Sequence, residues 1–272
     1  MSALAPVEDA PPAIASRAHL DWIGYRTIVL REFGRIVRIW GQTLLPPGVT
    51  ATLYFIIFGS LIGRRIGQMG GYDYMQYIAP GLIMMSVITN SYANVVSSFF
   101  GARFGKHVEE LLVSPLPNWL IVTGYMTGGI LRGLLVGAVV TAVALNFTHL
   151  HLHHVLTIVA SVLLTSIVFS LGGFVNAVFA KNFDHISWFP TFILTPLTYF
   201  GGVFYSISLL PGWAQALSHA NPILYMVNGF RYGFLGVSDV DIGLAFAIMI
   251  GFAVVLFAVA VGLMYKGIGI RE

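Results

Sequence analysis

Cysteine is absent from this chain, and charge is nearly so. Of 272 residues, none is Cys and only 9% are Asp, Glu, Lys or Arg. Without thiols there is no disulfide, no thiolate zinc or iron–sulfur site, and no cysteine nucleophile. An average soluble domain is about 25% charged, so a water-soluble fold of this length could not cover its surface. A signal peptide is also missing from the first twenty residues. They carry Glu8, Asp9, Pro6, Pro11 and Pro12 in place of a basic segment and an apolar core. Residues 1–20 therefore read as a disordered cytosolic extension. No nucleotide-binding fingerprint is present. The nearest approach, Gly101 to Lys106, has three residues between its glycines, where a phosphate loop has four, and no Ser or Thr follows its lysine. The 14 basic residues against 11 acidic ones are not gathered into a stripe with exposed aromatics, which argues against nucleic acid as a partner.

What is abundant is hydrophobicity: 57% of the residues, with a mean hydropathy of +0.83. A transmembrane helix needs roughly 20 predominantly apolar residues. Six stretches qualify: Thr43–Gly63, Ile78–Phe100, Trp119–Phe147, Val155–Ala180, Ile186–Tyr205 and Ile242–Tyr265. The fifth contains Pro190 and Pro196, so a kink is expected there. Lys and Arg near span ends set the orientation. With the N-terminus inside, Arg17, Arg26, Arg31, Arg35, Arg38, Arg103, Lys106, Lys181, Lys266 and Arg271 face the cytoplasm, whereas Arg64, Arg65 and Arg231 face out. Both termini are then cytoplasmic. Residues 21–272 form one all-α membrane domain, which opens with an amphipathic helix over 25–40. On that helix Arg31, Arg35 and Arg38 share one face, opposite Tyr25, Val29, Leu30, Phe33, Ile36, Val37 and Trp40. It is expected to lie in the interface with its arginines toward lipid headgroups.

Several spans carry polar groups, which hydrocarbon tolerates only where they find partners or line a wet cavity. The second has Ser86, Asn90, Asn94 and Ser97 on one helical face, and the fifth has Thr191, Thr195 and Thr198. These read either as bonds within the bundle or as a substrate path between the two helices. In the third span Gly129, Gly133 and Gly137 form a small-residue ridge that lets helices approach closely. Arg132 stands beside it and must pair, snorkel or face a polar cavity. No acidic residue lies deep in a span.

Between spans two and three, Phe104, Val108, Glu109, Glu110, Leu111 and Leu112 predict a short amphipathic helix ended by Ser114-Pro115-Leu116-Pro117. Such a helix could enter a groove on another protein. After the fifth span, Pro211 and Asn221-Pro222 cut the chain into two short helices. These predict an external re-entrant hairpin with Trp213 and Tyr225 near the interface and Arg231 and His219 as polar contacts. The run His149, His151, His153 and His154 has no carboxylate beside it and reads as an interfacial loop, with no metal.

Four stretches in order, RIWGQTLLPPGVTATLYFIIFGSLIG, YIAPGLIMMSVITNSYANVVSSFF, VEELLVSPLP and FILTPLTYFGGVFYSISLLPGWAQALSHANPILYMVNGFRYGFLG, resemble the permease subunit of ABC type-2 exporters, most closely the YadH-like/NodJ-like bacterial group. The resemblance covers the chain from about Tyr25 onward. It implies a bacterial inner-membrane transporter of two permeases and two ABC ATPase subunits, with ATP and magnesium held by the ATPases and no cofactor in this chain. It implies that the loop around Gly101–Pro117 is a coupling helix docking on the ATPase, joined there by the N-terminal helix. It also implies an export path at the dimer centre for an amphipathic lipid, drug or glycolipid. Two other readings stand beside it. A secondary transporter driven by an ion gradient needs an intramembrane carboxylate, and a membrane acyltransferase or hydrolase would use the histidine run.

Overall fold

The computed structural model describes residues 16–269. The side chains of Ser60, Arg64 and Leu112 lie outside that description, as do residues 1–15 and Arg271. The helices are α1 (Arg17–Arg38), α2 (Trp40–Gly63), α3 (Tyr74–Phe104), α4 (His107–Val113), α5 (Asn118–Ala144), α6 (Val155–Phe179), α7 (183–200), α8 (Gly212–His219), α9 (Pro222–Leu235) and α10 (Ile242–Lys266). One antiparallel hairpin, β1 (Gln68–Met69) and β2 (Tyr72–Asp73), joins α2 to α3. Its turn is Gly70-Gly71, with φ of 60° and 84°. Positive φ at both positions matches the twist of a tight hairpin and is open to glycine.

Among the described residues five helices, α2, α3, α5, α6 and α10, are long and apolar enough to cross a membrane. The fifth expected stretch, Ile186–Tyr205, is instead a helical run over 183–200 and falls short of the same measure. At 1.5 Å per residue it is about 27 Å long. It stops at Phe200 because Gly201-Gly202 turns the chain, Gly202 taking φ of 71°. The expected kink is present as a wide turn over Pro190–Leu194. Pro196 has no N–H to donate, and Thr195 answers by sending both its amide and its Oγ1 (2.9 Å) to the Pro190 carbonyl.

The interfacial helix differs from expectation in extent and in facing. It starts at Arg17, so residues 17–20 of the expected extension are helical. Its buried residues are Ile28, Glu32 and Ile36, at i, i+4 and i+8, and this face packs mainly on α5. Leu30, Phe33 and Val37 are exposed on the other side. The arginine face is split as well: Arg31 and Arg38 are exposed, and Arg35 turns into the protein.

α3 is the axis of the bundle, enclosed by α5, α6 and α9. The glycine ridge explains how closely they approach. A Cβ on Gly133 would stand 2.0 Å from Ser91 Oγ of α3, and one on Gly129 would stand 2.2 Å from Ser170 Oγ of α6. One on Gly137 meets Val87 at 2.9 Å. Gly133→Ala is therefore expected to cost about 1–3 kcal/mol of stability, read as a lower melting temperature in detergent. Adding Ser91→Ala, which removes the hydroxyl in the way, should recover most of the loss. If the double variant melts no higher than the single one, this contact is not the cause.

The two short helices after α7 are present as α8 and α9, but α9 is part of the core. Ile223 to Arg231 are all buried there, including Tyr225, which sequence placed at the interface. Tyr225 donates its hydroxyl to the His219 carbonyl at 2.8 Å, whereas Trp213 of α8 is widely exposed. At the opposite end of the bundle, Arg103 donates to the carbonyls of Ala177 (2.8 Å), Val178 and Ala180 (2.5 Å). It thereby caps α6 with a cation, as the helix dipole favours.

Candidate functional site

A cavity of about 260 Å³ opens between α2, α3 and α5. Its lining follows from local sequence. Pro46 and Pro47 lie inside α2 and face the cavity with Gln42, Thr50, Ala51 and Tyr54. Because prolines have no N–H and their rings crowd the preceding turn, α2 cannot close tightly on its neighbours here. Opposite them, α3 contributes Leu82, Met85, Ser86, Thr89 and Asn90, and α5 contributes Arg132. Ser86 and Thr89 donate to their own helix carbonyls, of Leu82 (3.1 Å) and Met85 (3.0 Å), so neither hydroxyl is stranded. Asn90 donates to the Ser86 carbonyl at 3.0 Å and accepts from Arg132 Nη2 at 3.3 Å.

Toward the end of the bundle that holds α8 and α9, the cavity stops at aromatic rings. Tyr54 lines it and packs on Phe204, with ring centroids 5.8 Å apart. Phe58 and Tyr199 stack on the same ring at 4.7 and 5.7 Å.

The polar face of α3 divides between two tasks. Ser86 and Asn90 line the cavity, whereas Asn94 and Ser97, one and two turns further, hold α1. Arg35 Nη2 donates to Glu32 (2.9 Å), to Asn94 Oδ1 (2.8 Å) and to the Asn94 carbonyl (3.0 Å), while Nη1 reaches Ser97 at 3.4 Å. Glu32 is 1% exposed. It accepts from Asn94 Nδ2 at 3.4 Å and from Ser98. A buried carboxylate persists only when paired and hydrogen-bonded, and here every partner comes from α3 or from α1 itself. The result is a clasp fixing α1 across the bundle. Tyr25 adds a bond to Thr127 of α5 at 2.9 Å.

The threonines of α7 do not join the cavity. Thr191, Thr195 and Thr198 donate to Ser187, Pro190 and Leu194 of their own helix, and Thr198 is buried. On α4, Glu109 and Glu110 are exposed and Leu111 is half-buried. Val108 is 1% exposed and anchors α4 to the core, whereas Val113 is 88% exposed. Phe104 is exposed too, with its ring against Phe100 and Phe183.

Arg231 is fully buried. It donates to the carbonyls of Gly202 (2.6 Å) and Tyr77 (3.3 Å), lies 4.0 Å from the Tyr77 ring centroid, and stands 3.9 Å from Asp239. Asp239 also accepts from Ser206 Oγ (2.6 Å), Tyr77 (3.3 Å) and the Ile207 amide (3.3 Å). This knot ties α9 to α3 and to the turn after α7. The histidine run lies nearby: the His153 and His154 amides donate to the Gly233 carbonyl. Among the described residues no group of His, Asp and Glu is placed to hold a metal.

Glu32 and Asp239 are the site residues that sequence reasoning missed. A signal existed for Glu32, since it interrupts the apolar row Ile28, Glu32, Ile36 three residues before an arginine. Asp239 had none, because its partner is eight residues away across a turn.

Comparison with known proteins finds similar sequences along most of the chain. Residues 24–235 match the family described as ABC-2 type transporter. The inner membrane transport permease YadH of Escherichia coli (strain K12) is 55% identical over 254 residues, which cover 93% of this chain and 99% of that protein. Nodulation protein J of Rhizobium leguminosarum bv. viciae is 26% identical over 218 residues, covering 79% of this chain and 83% of its own.

Proposed function

Because the chain belongs to the ABC-2 type transporter family, we propose that it is the permease subunit of an ATP-driven exporter moving an amphipathic compound across a bacterial inner membrane. The observation that carries this reading is the polar cavity between α2, α3 and α5, with Ser86, Asn90 and Arg132 in its wall. A bundle built only to anchor would fill that space with apolar side chains. The remaining parts then take roles by resemblance. α7 is the sixth crossing, α8 and α9 form the re-entrant hairpin at the outer face, and both termini are cytoplasmic. Two copies of the chain enclose the path, with the exposed Thr191 and Thr195 of α7 toward it. Two ABC ATPase subunits, which bind ATP and magnesium, dock on α4 and on the exposed face of α1. ATP binding draws the two docked α4 helices together, and the clasp at Glu32 and Arg35 passes the movement to α3.

An ion-driven transporter receives no support from the buried carboxylate, since Glu32 is already paired with Arg35.

Co-expression with the cognate ABC ATPase is expected to yield a complex that hydrolyses ATP, and the permease alone should show no hydrolysis. Val113→Asp with Glu110→Arg, both at exposed positions, is expected to weaken co-purification of the ATPase several-fold without lowering the melting temperature. An unchanged complex would sink the docking role of α4, and failure of any ATPase to associate would sink the permease reading.

A further inference from the structure

We propose that Arg132, with Asn90, Ser86 and Gln42, is a recognition site for the anionic head of an amphiphile, so that the exported compound carries a phosphate or a carboxylate. The inference rests on the permease reading and narrows its substrate class.

Three observations converge on it. The first is charge. The cavity wall holds one cation and no carboxylate. The nearest buried carboxylate, Glu32, is committed to Arg35, Asn94 and Ser98. An uncompensated cation surrounded by hydrocarbon is costly, and an ionisable residue at membrane depth faces a partner or a pathway. The second is unused bonding capacity. Arg132 has five N–H donors in a planar fork that matches an oxyanion. Among the described residues its single hydrogen bond goes to Asn90, and its Nε is buried with no acceptor. By contrast, Arg103 reaches three backbone carbonyls, and Arg231 reaches two carbonyls and stands beside the Asp239 carboxylate. The third is size and composition. A space of about 260 Å³ is below the roughly 300–1,000 Å³ of pockets that enclose a drug-sized ligand. It accommodates a head group and sends the tail out past Pro46, Leu82 and Met85. Gln42 in the same wall supplies a neutral donor.

Photolabelling tests the inference directly. The full chain is placed in phosphatidylcholine nanodiscs and exposed to an alkyl phosphate with a diazirine in its tail. Labelled peptides are then located by mass spectrometry. Saturable labelling is expected on α2, α3 and α5 around the cavity. Dodecyl phosphate and dodecanoate should compete, whereas dodecyltrimethylammonium and dodecylphosphocholine should not. Inorganic phosphate at the same concentration should also fail, which separates an amphiphile from a free anion. Arg132→Gln should weaken labelling by about 10-fold or more, the scale of a lost hydrogen bond to a charged group. Arg132→Lys should retain part of it.

Equal competition by the ammonium amphiphile, or undiminished labelling of a folded Arg132→Gln chain, overturns the inference. Equal competition by inorganic phosphate overturns the amphiphile. The competitor series on the unsubstituted chain decides the matter even if Arg132→Gln does not fold. ATPase co-purification tests the permease reading separately. A complex that forms and hydrolyses ATP, yet shows no anion preference, refutes this inference alone.

Discussion

Arg231→Leu is expected to lower the melting temperature of the purified protein by about 10 °C. Removing one member of a buried ionic network costs roughly 3–5 kcal/mol, and each kcal/mol is worth about 2–4 °C in a chain of this size class. The cause is specific. The Gly202 carbonyl loses a donor at 2.6 Å, the Tyr77 carbonyl loses one at 3.3 Å, and the Tyr77 ring loses its cation. Leucine fills much of the volume, so the loss measures unmet polar groups more than a void. Asp239→Ala should cost less. Its carboxylate is 18% exposed and 3.9 Å from the guanidinium, and Arg231 keeps both carbonyls without it. Circular dichroism melts of the two variants, run beside the parent, check the order. Equal losses, or a loss of only a degree or two for Arg231→Leu, would show that the knot does not hold the α9 end together.

The second large effect is local. Glu32→Ala is expected to free α1 from α3 while the rest of the bundle stays folded. It leaves Arg35 without its anion and Ser98 and Asn94 without their acceptor, at a cost of roughly 3 kcal/mol. α1 packs on one side only, so it opens as a unit before the core does. A shift of that size raises its open population by about 100-fold, and trypsin should cleave after Arg31, Arg35 and Arg38 faster by a comparable factor. Glu32→Gln with Arg35→Gln, which removes both charges and keeps donors and acceptors, should restore most of the protection. If cleavage after these arginines is unchanged in Glu32→Ala, α1 is held by Ile28, Ile36 and the Tyr25–Thr127 bond instead. In an assembled transporter the same variant should hydrolyse ATP with reduced transport, because the proposed lever has lost its hold.

Much of the molecule is legible in the amino-acid sequence, and the reason is physical. Hydrocarbon obliges a spanning segment to be long, apolar and helical, so α2, α3, α5, α6 and α10 announce themselves in composition. The break in α7 is legible for the same reason, since proline cannot complete the helical ladder. The extent and facing of α1 are harder to read. Its first turn at Arg17 carries no apolar excess, and two opposed apolar faces, one on α5 and one exposed, leave no single side marked as the buried one. The polar stripe of α3 is visible as a stripe, but its division is not. Helical spacing puts Ser86, Asn90, Asn94 and Ser97 on one side and says nothing of which neighbour stands opposite each. The comparable stripe on α7 illustrates the limit, since its threonines satisfy themselves within the helix.

The absence of cysteine and the scarcity of charge that exclude so much chemistry also determined the class of protein. With so few polar side chains, the chain has no folded state in water and few ways to be arranged in a membrane. Spacing along one chain therefore settled the helical class and the placing of the long apolar helices. Tertiary structure alone decided what the few charges do. Arg35, Arg132 and Arg231 have similar apolar neighbours in sequence and three different fates: one clasped by Glu32 and Asn94, one facing a cavity with spare donors, one held by two carbonyls beside Asp239. Those fates depend on Asn94, Asn90 and Tyr77, which lie 59, 42 and 154 residues away along the chain. Helix packing that no local pattern encodes brings them near.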